Sequence, residues 1–471
     1  MLLATMQNIK ITMGLNLLFS LDKLDVSDNE TIGIVGKNGS GKTTLLNMLA
    51  GIVEADSGYV KNFCEVSYFR QFNESGEKNL SGGEVTKIFL SEAINKNAPL
   101  LLLDEPTSNL DISSVKLLEK QIKNYNGAVV LISHDRKLLE NTCTKIVNID
   151  RENKTAAVYD CTYAEFVELK AKEAERAEFL YEVYSKEKKR LIESIRESNA
   201  KVKSAKKAPS RMGNSEARLH KRKTGERMES VEAGANALKT RLEKLEVHEK
   251  PRKQRKIGIT LQDSAERYKG RYIIECENLN VAFGDRVLFE NAGFRIKTGS
   301  KAVIIGDNGS GKTTLVKKIM DEECENVKSN AKKTAYYEQG LEMLDCTKTI
   351  LENVMLKNVF TELEARNILG RLDIREDNVH KKVENISGGE KVKVCFAKIF
   401  TQGADLVILD EPTNYLDIET TQALEDIINE YDGTVLAISH DRSFAENVSD
   451  CVLEVDAKGK NIKYSDMRFF G

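Results

Sequence analysis

Short, continuous apolar runs recur along this chain, each bounded by polar or glycine-containing segments and each ending in residues able to do chemistry. TIGIVG at 31–36, PLLLLDE at 99–105 and AVVLISHD at 128–135 predict strands buried on both faces, because unbroken rather than alternating hydrophobicity marks a parallel sheet covered by helices. KAVIIG at 301–306, DLVILDE at 405–411 and TVLAISHD at 434–441 repeat the series in the same order. Two α/β domains of one design follow. In an open α/β sheet, ligands bind at the carboxyl ends of the strands, where these polar residues stand.

Between the halves the rhythm changes. Ala177, Tyr181, Tyr184, Leu191, Ile195 and Val202 fall on four- and three-residue steps, interrupted at Lys188 and Ser198, and Val231, Ala235, Leu238, Leu242 and Leu245 resume the pattern. AKKAPSRMGNSE at 205–216, with Pro209 and Gly213, breaks it. This predicts two long helices in an antiparallel hairpin, one running from about 163 to 203. At about 1.5 Å per residue each arm is roughly 50 to 60 Å long. The expected domains are 1–160, a linker over 161–256 with its tip near 203–225, and 257–471.

The halves differ in one respect. Only 39 residues separate Lys42 from Ser81, against 75 between Lys312 and Ser387, so the first domain has a reduced helical insert.

The net charge of −2 over 471 residues conceals a strong asymmetry. Residues 186–256 hold 23 Lys/Arg against 10 Glu and no Asp, a local charge of +13. Within 196–227, where the apolar seam stops, 11 Lys/Arg face 3 Glu. A Lys/Glu-rich helix pair can be a solvated coiled coil and nothing more. Basic charge without a helical partner is better explained by phosphate contact, which makes Lys203, Lys206, Lys207, Arg211, Arg218, Lys221, Arg222 and Lys223 candidate RNA ligands.

No run approaches the roughly 18 to 20 apolar residues needed to cross a bilayer, and MLLATMQNIKITMG lacks the features of a signal peptide. A soluble, cytoplasmic protein is expected. Eight scattered cysteines without a CxxC pair speak against a metal or disulfide framework.

GKNGSGKTT at 36–44 and GDNGSGKTT at 306–314 fit the GxxxxGK[ST] loop, whose backbone N–H groups cradle phosphates. Gly36, Asn38, Gly39, Gly41 and Thr44 form the first cradle, and Gly306, Asn308, Gly309, Gly311 and Thr314 the second. Lys42 and Lys312 would reach the β and γ phosphates, while Thr43 and Thr313 would hold Mg²⁺. The helix that follows adds its positive end. Asp104 and Asp410 end apolar strands, where a carboxylate can hold the metal through water. Glu105 and Glu411 follow as candidates to orient or polarise the attacking water. His134 and His440, each in an SHD sequence, can sense a γ-phosphate. Gln71 and Gln339 are candidates for Mg²⁺ or the lytic water. Ser81 with Gly83 and Ser387 with Gly389 can cap a helix and bind a second nucleotide from across an interface.

This ordered set of phosphate loop, glutamine loop, SGGE signature, LDE, LD and SHD resembles ATP-binding cassette domains over roughly 1–160 and 270–471. Tandem cassettes around a basic hairpin, with no membrane span, resemble the ABC-F family of translation factors. The resemblance implies two ATP molecules sandwiched head to tail, with Lys42 sharing a site with Ser387 and Lys312 with Ser81. It implies ATPase activity with Mg²⁺, and a monomer whose cassettes pair within the chain. It further implies a linker that meets large-subunit rRNA and the P-site tRNA near the peptidyl-transferase centre of a bacterial ribosome. The tip APSRMGNSEARLHKRK and the lean first cassette look most like members that protect ribosomes against lincosamides, streptogramin A and pleuromutilins. A housekeeping translation factor and the ATPase subunit of a transporter are the alternatives. Phe283 stands where the family stacks an aromatic ring on adenine, and Met13 replaces it in the first half.

Overall fold

The computed structural model describes residues 1–14, 16–70, 82–205, 231, 233–245, 271–284, 286–321, 323–338, 343–356, 358–374, 378–456 and 461–466. Gln71, Ser81, Gln339, Lys206, Lys207, Arg211, Arg218, Lys221, Arg222 and Lys223 lie outside these residues. For Lys203 and Phe283 only the backbone is described.

The chain divides into two compact units, Met1–Ala164 with Arg255–Gly471, and Glu165–Gln254. In the first unit, the amino-terminal cassette runs β1 (Leu2–Met13), β2 (Asn16–Ser27), β3 (Thr31–Gly36), β4 (Ser57–Asn62), β5 (Val66–Phe69), β6 (Leu100–Asp104), β7 (Ala128–Ile132), β8 (Lys145–Asp150) and β9 (Thr155–Tyr159). They form one sheet in the order β4-β1-β2-β9-β8-β3-β7-β6-β5. The second cassette has β10 (Tyr272–Phe283), β11 (Arg286–Lys297), β12 (Lys301–Gly306), β13 (Val327–Ser329), β14 (Thr334–Tyr337), β15 (Leu406–Asp410), β16 (Thr434–Ile438), β17 (Cys451–Asp456) and β18 (Asn461–Asp466). Here the parallel strands β14-β15-β16-β12-β17, with β18 antiparallel at the edge, repeat β5-β6-β7-β3-β8 with β9, and β11-β10-β13 forms a separate sheet.

Every residue of β6, β7, β15 and β16 is buried, as their unbroken apolar sequences demand. Parallel register sets Asp104 beside Ile132 and Asp410 beside Ile438, so acid and switch leave the sheet at one edge. The polar letters of the motifs then cap helices. Asp111 accepts from Ser114 N–H, Asp135 from Leu138 N–H and Asp417 from Thr420 N–H, each at 2.9 Å, and Asp441 from Phe444 N–H at 3.0 Å. Ser387 and Glu390 form a reciprocal capping box at the start of helix Gly388–Thr401.

The larger second insert folds as helices Ile350–Met355 and Glu362–Arg371, each opened by a Thr/Glu capping box. Val354, Ile368 and Leu369 share a core with Phe396 and Phe400.

In the other unit, helix Tyr163–Ala205 continues for 43 residues, about 65 Å at about 1.5 Å per residue. A second helical stretch is described over 233–245. Leu191 and Ala235 are buried, and Arg241 pairs with Glu187 at 2.9 Å, tying the helices together. The seam departs from the expected register in two places. Glu187, not Lys188, follows Tyr184 on the sheltered face, while Lys188 bonds the Tyr184 hydroxyl at 3.1 Å, and Ala177 is exposed. Steps of three and four from Tyr184 lead through Glu187 to Leu191, and the acid is accommodated because Arg241 neutralises it. Among the described residues no helix is long and apolar enough to cross a membrane.

Candidate ATP sites between the two cassettes

Each phosphate loop leaves the edge of the sheet and turns into a helix through a left-handed glycine. Gly41 has φ 101° and Gly311 φ 103°, and a Cβ on Gly41 would lie 2.8 Å from both Leu18 Cδ2 and Phe19 Cε1. Only glycine fits there. Lys42 is buried, and its ammonium donates to Gly36 O at 2.8 Å, Lys37 O at 3.2 Å and Asn38 Oδ1 at 3.4 Å, all neutral acceptors. Lys312 likewise donates to Gly306 O and Asp307 O, each at 3.0 Å. Burial lowers the pKa of both lysines. Ser40 Oγ and Ser310 Oγ are buried with no bonding partner among the described residues. A sheltered cation held only by carbonyls, beside idle hydroxyls, fits a polyphosphate.

The metal candidates also meet. Thr313 Oγ1 lies 3.2 Å from Asp410 Oδ2, and in the first cassette the Thr43 hydroxyl lowers the Asp104 carboxyl against its burial. Burial drives the Asp104 carboxyl up to about 6 and raises that of Asp410. Asp104 Oδ1 is buried without a partner among the described residues. These are the terms a bound divalent cation reverses. Mg²⁺ held by one hydroxyl and one carboxylate draws its remaining ligands from phosphate and water.

Glu105 and Glu411 both adopt φ 49°, a left-handed turn just past the strand, fixed by N–H bonds to Ile132 O and Ile438 O at 3.0 Å. His134 Nε2 lies 3.1 Å from Glu105 Oε1, and His440 Nε2 lies 3.2 Å from Glu411 Oε1. Burial pushes Glu411 up to about 8 against the pull of Lys312, and takes His440 down to about 4. His134 is lowered by the same cause.

Residues distant in sequence close each site. Asn38 N–H donates to Asp417 Oδ2 and Asn38 Nδ2 to Tyr415 O, both at 2.9 Å. In mirror fashion, Asn308 N–H donates to Asp111 Oδ2 at 3.4 Å and Asn308 Nδ2 to Asn109 O at 2.9 Å. Asn109 and Tyr415 are left-handed at φ 63° and 67°, which turns their carbonyls toward the opposing loop. A Cβ on Gly83 would sit 2.9 Å from Asn308 Nδ2, so the first signature lies against the second phosphate loop. Gly389 packs against Tyr415 of its own cassette, within the element that meets Asn38. Lys37 adds ion pairs to Glu419 at 3.1 Å and Asp373 at 3.6 Å on one side, whereas Ser113 bonds Asp307 at 3.1 Å on the other. Met13 ends β1 opposite Asn16 and is 75% exposed, and the backbone of Phe283 pairs with Arg286 in the matching hairpin.

Sequence reasoning missed Asn109, Asp111, Tyr415 and Asp417, and also Arg136, Arg442, Glu119 and Glu425. The signals were present in part: LD and SHDR each occur in both halves.

A family model described as "ABC transporter" matches residues 21–66 and 289–414. The chain is 32% identical to the "Erythromycin resistance ATP-binding protein MsrA" of Staphylococcus epidermidis, over 92% of this chain and 93% of that one. It is 29% identical to the "Ribosome protection protein VmlR" of Bacillus subtilis, over 99% and 89%. It is 31% identical to the "ATP-binding protein Uup" of Buchnera aphidicola subsp. Schizaphis graminum, over 90% and 76%. Among solved structures, the archaeal ribosome recycling factor aABCE1, in complex with the stalk protein aP1, superposes with a TM-score of 0.65 at 20% identity, covering 98% of this chain and 90% of that one, a likeness of fold. On these relatives, and with two composite nucleotide sites in one chain, the protein belongs to the ABC-F family of tandem ATP-binding cassette ATPases.

Proposed function

We propose that this ATPase binds the bacterial ribosome and protects it from large-subunit antibiotics of the lincosamide, streptogramin A and pleuromutilin type. In the first site Lys42 anchors the β and γ phosphates, and Thr43, Asp104 and Gln71 hold Mg²⁺. Glu105 orients the attacking water, His134 bonds the γ-phosphate, and Ser387 with Gly389 completes the site from the other cassette. In the second site the same roles fall to Lys312, Thr313, Asp410, Gln339, Glu411 and His440, with Ser81 and Gly83 opposite. Phe283 stacks on the adenine of the second site. Bound Mg²⁺ supplies neutralisation of phosphate charge.

Closing the cassettes around ATP holds the basic tip, with Lys203 to Lys223 at its centre, against large-subunit rRNA and the P-site tRNA, and hydrolysis releases it. The observation that carries this reading is the +13 charge of residues 186–256 in a chain whose total is −2. The full-length similarity to VmlR and MsrA supports the protective role, whereas similarity to Uup favours a second reading, a housekeeping translation factor.

The drug test uses minimum inhibitory concentrations for a panel of large-subunit antibiotics in a susceptible host with and without the gene. Resistance to one or more of the three named drug classes is expected. An unchanged panel leaves the housekeeping reading. Ribosome sedimentation of Glu105→Gln/Glu411→Gln with ATP should show retention over wild type, and a double variant that never sediments with ribosomes removes both readings.

A further inference from the structure

Arg136 and Arg442 stand two residues beyond the switch histidines, and each reaches a carboxylate of the opposite cassette. Arg136 begins helix Arg136–Thr142, which Asp135 caps. Its guanidinium makes a two-pronged pair with Glu425, Nη1 donating to Oε2 at 3.2 Å and Nη2 to Oε1. Glu425 lies on helix Ile418–Glu430, whose cap is the same Asp417 that receives the Asn38 N–H. Asn447 Nδ2 also donates to Glu425 Oε2, at 3.0 Å.

The second arginine mirrors the first. Arg442 begins helix Arg442–Val448 behind its cap Asp441 and bonds Glu119 on helix Ile112–Lys123, whose cap Asp111 faces Asn308. Each arginine therefore joins a switch histidine to the helix that seals the same composite site from the opposite cassette.

The two rings also touch. Arg442 Nη2 lies 3.7 Å from Asp135 Oδ2, and the charge of Arg136 acts on Asp441. Two guanidiniums thus lie among four carboxylates, Asp135, Asp441, Glu119 and Glu425. The side chains of both pairs are 6 to 15% exposed. Burial raises Asp135 and Asp441, and a neighbouring carboxylate adds to it at each, Asp441 at Asp135 and Glu425 at Asp441. Lys137 and Glu446 add a pair at 3.1 Å beside this cluster.

We propose that Arg136 and Arg442 are reciprocal latches that make closure of the two ATP sites one event. Each is a positioning residue for hydrolysis, coupling its neighbouring histidine to the opposing helix, and the crossed contact with Asp135 couples one site to the other. The bidentate pair of Arg136 tolerates little displacement, and either buried pair, losing one member, leaves the other charge uncompensated. A half-closed molecule is thereby disfavoured.

The test is steady-state ATP hydrolysis by the full chain as a function of ATP concentration, with thermal melts alongside. The variants are Glu425→Gln, Arg136→Glu and the swap Arg136→Glu/Glu425→Arg. Wild type should give a Hill coefficient above 1, up to about 2 for two sites. Glu425→Gln and Arg136→Glu should bring it to about 1 and lower saturating turnover at least about tenfold, and the swap should recover both. Glu425→Gln is nearly isosteric and should fold, with a melting temperature below that of wild type because Arg136 loses its counter-charge, so it carries the test if Arg136→Glu does not fold. A wild-type coefficient of 1, or cooperativity retained in folded Glu425→Gln, overturns the proposal. So does a folded swap that recovers neither quantity.

Discussion

Glu411 and His440 touch at 3.2 Å, yet burial moves them in opposite directions, and the consequences for stability separate by pH. The folded protein keeps the Glu411 proton to about 8, whereas the free side chain loses it near 4.5. Across that window the native state binds more protons than the unfolded chain, so stability falls as pH rises. His440 titrates near 4 when folded and near 6.5 when free, so its contribution increases with pH over that lower range. Above 6.5 the Glu411 effect is what remains of this pair, and through Glu411 the protein without nucleotide should lose stability toward pH 8. Glu411→Gln removes the titration, so the melting temperature of the variant minus that of wild type should be larger at pH 8 than at 6.5. A difference that does not widen means Glu411 is not desolvated in the nucleotide-free molecule. These two residues were legible because each follows closely on an apolar strand that leads to the sheet edge. The pairing of Arg136 with Glu425 was not, since 289 positions separate them and, although Arg136 shares the repeated SHDR, nothing local marks Glu425.

The helices that carry the two signatures look interchangeable in sequence and differ in packing. Helix Gly82–Asn95 brings Gly83 so close that an added Cβ would meet Asn109 O at 2.7 Å and Asn308 Nδ2 at 2.9 Å. The first of these is backbone of the same cassette and cannot rotate aside, so Gly83→Ala must shift the helix against Asn109, whose carbonyl holds Asn308 of the opposing loop. Gly389, in helix Gly388–Thr401, would place its Cβ 3.8 Å from Tyr415 O, an ordinary contact. Turnover should therefore fall several-fold further in Gly83→Ala than in Gly389→Ala, a difference of about 1 kcal/mol or more. Equal losses in steady-state ATPase assays would show that closure does not depend on this packing. Capping was readable in advance, because Ser387 and Glu390 have the spacing of a capping box and form one. The linker seam was readable only approximately. Its chemistry suggested a break at Lys188, whereas helix geometry brings Glu187 inward and Arg241 across the seam accommodates it.

Charge is distributed so that the molecule as a whole gains nothing from approaching RNA. With +13 on residues 186–256, the rest of the chain carries −15, and a uniform attraction to a polyanion is ruled out by that balance. Attraction must then be local to the linker and of short range, since the screening length is about 8 Å at physiological salt. Such binding releases counterions in proportion to the phosphates contacted, with a slope of about −0.7 to −0.9 per contact in log affinity against log salt. Reversing Lys206, Lys207, Arg211 and Arg218 to glutamate should make the slope for ribosome binding shallower by about 3 and weaken binding most at low salt. Co-sedimentation in ATP over a salt series measures both quantities. An affinity lowered equally at every salt concentration would mean that the tip binds by shape and stacking rather than charge. An affinity unchanged at every salt concentration would move the ribosome-binding surface away from the linker altogether.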